Sequence, residues 1–150
     1  MNAEKQKTAT TELFDIIYKN VKMNSDRIVD IIKKANDSGL REELTKQLDD
    51  FEERAGKICV ALLENGEEAK EESLINKIGA KIDTAFGTLM NSDTSKLAEI
   101  LIESYGDSAT QLTKAIREYE NTNCSEESLG MARDVLALQE TCIERMKCFL

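Results

Sequence analysis

A chain of 150 residues with no proline, no histidine, no tryptophan and only seven glycines has few ways to turn. The tight turns that a sandwich or barrel of short strands requires are missing, so long helices are expected, and without histidine the usual general base and the commonest metal ligand are absent. Its 29 acidic and 20 basic side chains give a net charge of −9, spread over both halves, which argues against nucleic-acid or anionic-membrane partners, since these are held by clustered lysine and arginine.

The length suits one domain. Residues 1–10 (MNAEKQKTAT) are polar and charged, read as a flexible segment ahead of a single helical domain over 11–150. They lack the apolar core of a secretory signal, and no apolar run reaches the ~20 residues that span a bilayer. The cytoplasm is the expected location.

Apolar residues then recur at helical spacing in five stretches. The first runs from about Thr11 to Asn36, with Phe14, Ile17, Val21, Ile28, Ile31, Ile32 and Ala35 on its inner face and Ser38-Gly39 as its stop. A second, from about Leu40 to Asn65, carries Leu44, Leu48, Phe51, Ala55, Ile58 and Leu62 and stops at Gly66. So short a turn makes these two antiparallel neighbours. After the acidic run Glu67, Glu68, Glu71 and Glu72, read as a solvated face, a shorter stretch from about Ser73 to Met90 carries Leu74, Ile75, Ile78, Ile82, Phe86 and Leu89.

Ser92 or Asp93 is the expected N-cap of the fourth stretch, Thr94 to Glu120, whose seam is Leu97, Ile100, Leu101, Tyr105, Leu112, Ile116 and Tyr119. Ser125 should cap the fifth, with Glu126 and Glu127 suiting the positive end of its dipole; its inner face is Leu129, Ala132, Leu136, Gln139, Ile143 and Met146. Four long stretches and one short one fit an all-α bundle of two antiparallel helix pairs. The short helix would cross over between long helices two and three, making those two parallel. A plain up-down five-helix bundle is the alternative.

Cys59, Cys124, Cys142 and Cys148 form no CxxC pair and are read as structural thiols. Tyr18, Tyr105 and Tyr119 lie on or beside the seams as core residues with bonded hydroxyls. No nucleophile and base can be assembled, and no phosphate-binding glycine loop is present.

The layout resembles the ferritin-like superfamily, and within it a set of small bacterial domains of uncharacterised function. Short motifs carry the resemblance: Glu52-Glu53-Arg54 followed by Leu62 to Gly66, then Gly79 and Phe86 in the crossover, Glu103 to Asp107, and an inward Gln139. It covers roughly Thr11 to Met146 and implies a ferritin-like four-helix bundle. Di-iron members carry inward carboxylates and two Glu-x-x-His pairs at mid-bundle. Here Glu52 and Glu53 precede Ala55 and Gly56, Gln139 and Glu140 precede Cys142 and Ile143, and Asn24 and Ser25 stand where a bridging glutamate is expected. Only Glu103 or Asp107 keeps a carboxylate near the right height.

The centres of the long helices fall near Asn24, Glu52, Asp107 and Ala137, which predicts a polar layer of Asn24, Ser25, Glu52 or Glu53, Ser104, Asp107, Ser108 and Gln139. Two readings of it follow. Either the layer only fixes register, or its oxygens hold a divalent ion such as Mg²⁺, Ca²⁺ or Mn²⁺. The expected protein is non-enzymatic, with no catalytic, metal or cofactor residues assigned, and acts as a homo-oligomer, a dimer, or through a protein partner; Ile102, Val135, Leu138 and Phe149 are the candidate contact surface.

Overall fold

A computed structural model describes residues 3–67 and 93–150. These form four long helices: α1 (Ala3–Lys34), α2 (Ser38–Glu64), α3 (Thr94–Tyr119) and α4 (Glu126–Met146), with a 3₁₀ turn at Lys147–Phe149. The expected crossover helix from Ser73 to Met90 lies outside the described residues.

Helix ends are set by the caps. Asp37, not Ser38-Gly39, punctuates the first connection: its carboxylate accepts from the Leu40 N–H at 2.8 Å, so Ser38 and Gly39 become the first turn of α2. A side chain at Gly39 would crowd that cap, since a Cβ there would lie 3.1 Å from Asp37 Oδ2. Gly66 ends α2 in the left-handed region, at φ 77°, and the Glu67 N–H closes back onto the Leu62 carbonyl at 2.9 Å. Asp93 caps α3 through the Ser95 N–H at 3.2 Å. Ser125 caps α4 through the Ser128 N–H at 3.1 Å, as its sequence predicts.

The first helix begins at Ala3 and not at Thr11, so residues 3–10 continue α1. The Thr10 hydroxyl explains the anchoring: it accepts the Ser125 N–H at 2.9 Å, tying this turn to the start of α4.

Side-chain bonds fix the helix directions. Tyr119 Oη donates to Glu12 Oε2 at 2.9 Å near one end of the bundle while Arg27 bonds Ser104 toward the other, so α1 and α3 are antiparallel. Thr10 meets Ser125 and Asn20 meets Gln139, so α1 and α4 are parallel. Arg54 pairs with Asp134 at 3.0 Å and Arg145 with Glu43 at 3.8 Å, so α2 and α4 are antiparallel. It follows that α2 and α3 run parallel, with the end of α2 and the start of α3 at opposite ends of the bundle. Across this diagonal Phe51 stacks on Tyr105, centroids 5.8 Å apart.

The apolar seams meet in one core, where Leu13, Ile17, Val21, Ile28, Leu44, Phe51, Ile58, Leu101, Tyr105, Leu112 and Ala132 are all fully buried. The expectation is corrected on α4. Val135, Leu138 and Cys142 are buried, while Leu136 and Ile143 are only partly so. Two interleaved apolar rows run along this helix, and its packing against α1, α2 and α3 draws the Val135 row deepest. Val135 and Leu138 are therefore core, not contact surface; Ile102 and Phe149 are half-buried against the same core.

Because these side chains are fully buried, Phe51→Ala should cost about 3–5 kcal/mol and Leu44→Ala about 2–5 kcal/mol. Urea denaturation followed by circular dichroism measures both, and a loss under 1 kcal/mol would contradict the packing.

Candidate functional site

The middle of the bundle is crossed by polar side chains, as predicted, but not by the predicted set. Asn24, Ser25, Ser108 and Gln139 are fully buried, and Ser104 nearly so. Glu52, Glu53 and Asp107 instead face outward. The helical period gives the reason. With Phe51, Ala55 and Ile58 inward, the next two positions after Phe51 turn away from the core; with Ser104, Tyr105 and Ser108 inward, Asp107 falls on the outer edge. Glu52 bonds the buried Lys22 at 3.2 Å from a half-exposed position, and Glu53 bonds Lys57 at 3.1 Å at the surface. Glu103 is exposed as well.

What remains inside is a net of amides and a hydroxyl drawn from three helices. Asn20 Nδ2 donates to the Ser108 carbonyl at 3.1 Å, and Asn24 Nδ2 donates to the Asn20 carbonyl at 3.1 Å. The Ser108 hydroxyl donates to Asn24 Oδ1 at 3.1 Å, while Gln139 Nε2 donates to Asn20 Oδ1. One turn away a second group forms: Tyr105 Oη donates to Gln47 Oε1 at 2.7 Å, and Gln47 Nε2 donates to Glu43 Oε2 at 2.9 Å. Gln139 Oε1 and Ser25 Oγ have no partner among the described residues.

Sequence reasoning missed Asn20, Gln47, Lys22 and Arg27. The first two were findable, because Asn20 lies one turn from Asn24 on the same face, and Gln47 falls between Leu44 and Phe51 on the seam of α2. Lys22 and Arg27 were not, since long cationic side chains reach the surface from positions that spacing alone makes inner. Lys22 is buried and Arg27 half-buried beside the layer. Burial lowers the Arg27 pKa, an effect opposed by nearby Asp107.

The chemistry available here is narrow. Carboxamides and hydroxyls neither titrate near neutrality nor act as nucleophiles without a base. No three histidine, cysteine, aspartate or glutamate side chains come together to hold a metal among the described residues. No helix among them is long and apolar enough to cross a membrane.

The thiols divide by depth. Cys124 and Cys142 are buried, Cys59 is half-buried and Cys148 is exposed. Burial pushes the Cys142 thiol up to about 12 from its usual 9. Burial, with a hydrogen bond to Glu12, raises Tyr119 to about 12 from 10. Tyr105, fully buried, rises well above its usual value for the same main reason.

No family model, no curated protein and no solved structure matches this chain.

Ser25→Ala should stabilise the fold by about 1 kcal/mol or more, because it removes a buried hydroxyl that has no partner. Tyr105→Phe should cost about 1–3 kcal/mol by leaving Gln47 Oε1 unbonded. Both are read from thermal melts, and equal effects from the two would refute this network. Above pH 9 the unfolded chain loses the Cys142 proton that the folded chain keeps, so stability should fall as pH rises from 9 toward 12. Cys142→Ala should flatten that fall, and an aromatic disulfide reagent should label Cys148 first and Cys142 last.

Proposed function

We propose that this protein is a ferritin-like helical bundle that has no catalytic centre and acts by associating with another protein chain. The observation that carries the reading is the amide and hydroxyl net of Asn20, Asn24, Ser108 and Gln139 at the level where di-iron relatives of that architecture would hold carboxylates. The parallel course of α2 and α3 supports the same architecture. With its middle occupied by neutral, mutually bonded groups, the bundle has its unassigned surface chemistry on the outside. Val60 and Leu63, 56% and 62% exposed, sit on one turn of α2. Large apolar side chains so exposed mark contact surfaces when they are grouped.

The competing reading, a divalent ion held at mid-bundle, has lost Glu52, Glu53 and Asp107 to the surface. Elemental analysis of protein purified without chelator should find less than about a tenth of an equivalent of manganese or iron, and added Mn²⁺ should leave the melting temperature unchanged. A stoichiometric ion would overturn the proposal. Association itself is tested by purifying the tagged full chain from its native cells at native abundance, followed by light scattering. A reproducible stoichiometric second chain, or a concentration-dependent oligomer, is expected. A monomer that recovers nothing would refute it.

A further inference from the structure

The seam between α2 and α4 is thin, and over the last turns of α2 it opens into a groove of about 570 Å³. Gly56, Val60 and Ala61 form one wall and Met131 the other, with Lys57, Glu64 and Glu127 at the rim. The floor is apolar. A Cβ placed at Gly56 or at the nearby Gly130 would meet nothing within 4 Å, so the backbone itself is open to a close neighbour at both places.

The rim has a definite sign. Lys57 is already paired with Glu53 at 3.1 Å. Arg54, further along α2, is held by Asp134 and Asp50. Glu64, Glu67, Glu126 and Glu127 are exposed at the same end of the bundle, and no basic side chain bridges any of them among the described residues. Glu64 and Glu127 on the rim thus carry carboxylates that no basic side chain bridges, with Glu67 and Glu126 near them at the same end of the bundle. A second copy of this chain would bring the same acidic rim and another net charge of −9, placing like charges against each other. The occupant that satisfies both features has apolar residues for the trough and cations for the rim.

We propose that this groove is a docking site for a lysine- or arginine-bearing amphipathic helix of a partner protein. The helix would lie along the trough with an apolar side chain against Val60, Ala61 and Met131 and its basic residues over Glu64 and Glu127. This rests on the association reading above and gives it a location and a partner chemistry.

The test uses a fluorescein-labelled 18-residue peptide of leucine and lysine, with leucines on one helical face, and its leucine and glutamate counterpart. Fluorescence anisotropy against the full chain should give saturable binding of the lysine peptide, at least tenfold weaker binding of the glutamate peptide, and weakening in high salt. Val60→Glu is the deciding variant. Charge attraction alone predicts that the added carboxylate tightens binding, whereas an apolar trough predicts a loss of at least tenfold. The pair Glu64→Lys with Glu127→Lys should invert the preference between the two peptides, and Val29→Glu, at an exposed position on α1, should leave the binding loss unmatched.

Binding of neither peptide, or binding that Val60→Glu tightens, would overturn the inference. So would a Val60→Glu chain that melts well below the native one, which would assign the trough to residues 68–92 of the chain itself. A dimer that Val60→Glu dissociates would assign it to a second copy. If a native partner is recovered and its binding ignores Val60, Glu64 and Glu127, this site is wrong while the association reading stands.

Discussion

The constraint on which the rest of the bundle depends is the burial of two asparagines in the middle of α1. A carboxamide moved from water into a core without partners costs about 1–3 kcal/mol on the protein scale, and Asn20 and Asn24 bring two. Neither can be satisfied by α1 alone. Asn20 needs the Ser108 carbonyl and Gln139 Nε2, and Asn24 needs the Ser108 hydroxyl, so α3 and α4 must both arrive at one height. A slip of one helical turn, about 5.4 Å, would break every bond of the net that crosses between helices and leave only the Asn24 to Asn20 contact within α1. Apolar packing tolerates several registers of four similar helices; these bonds select one. They also tie the parallel pair α1 and α4 to the antiparallel pair α1 and α3, and with α2 set beside α1 by the three-residue connection, the course of all four helices follows.

How legible this was in the sequence depended on which property was being read. Helix positions and the seams of α1, α2 and α3 were legible because each has one apolar row at the period of a helix. The height of the polar layer was legible because the four long stretches read from the sequence have similar lengths, which brings their centres near one level. Rotation about the helix axis was the harder quantity. Glu52 differs from the inward Phe51 by one position, or 100° around the axis, and Asp107 differs from Ser108 by the same step. Seen as residue types near a level, all look equally like site members. Only contact with a neighbour separates them. On α4 the ambiguity was worse, since Val135 and Leu136, Leu138 and Gln139, and Cys142 and Ile143 offer two rows of comparable character. A helix packed on three sides can bury parts of both.

Charge separates the interior from the exterior along a similar line. The chain holds an excess of carboxylates, yet the cations Lys22 and Arg27 lie beside the layer. Lys22 gains Glu52, which remains about half exposed, and Arg27 reaches Ser104 while Asp107 stays at the edge. Each cation is thus neutralised by an acid that keeps its solvation, avoiding the desolvation cost of a fully buried pair. The same arrangement opposes a metal. A divalent ion among Asn20, Asn24 and Gln139 would find neutral oxygens and two nearby positive charges, and its own desolvation would be uncompensated.

The two flanks of α2 differ in how closely they are packed. Toward α1 the helix is sealed by close packing and by the Lys22 bridge. Toward α4 it is held at one end by Arg54, Gln47 and Glu43 and then parts from its neighbour beyond Gly56. A bundle stabilised only by burial would gain by closing that seam over Val60, because apolar groups left in water forgo transfer free energy of about 0.8 kcal/mol per CH₂-sized unit. Substituting lysine or glutamate there would remove the exposure at no loss of helix propensity. Apolar residues kept on the outer face, beside glycines at Gly56 and Gly130 that weaken their helices, are therefore poorly explained by stability. On the docking proposal above, a second chain would cover both.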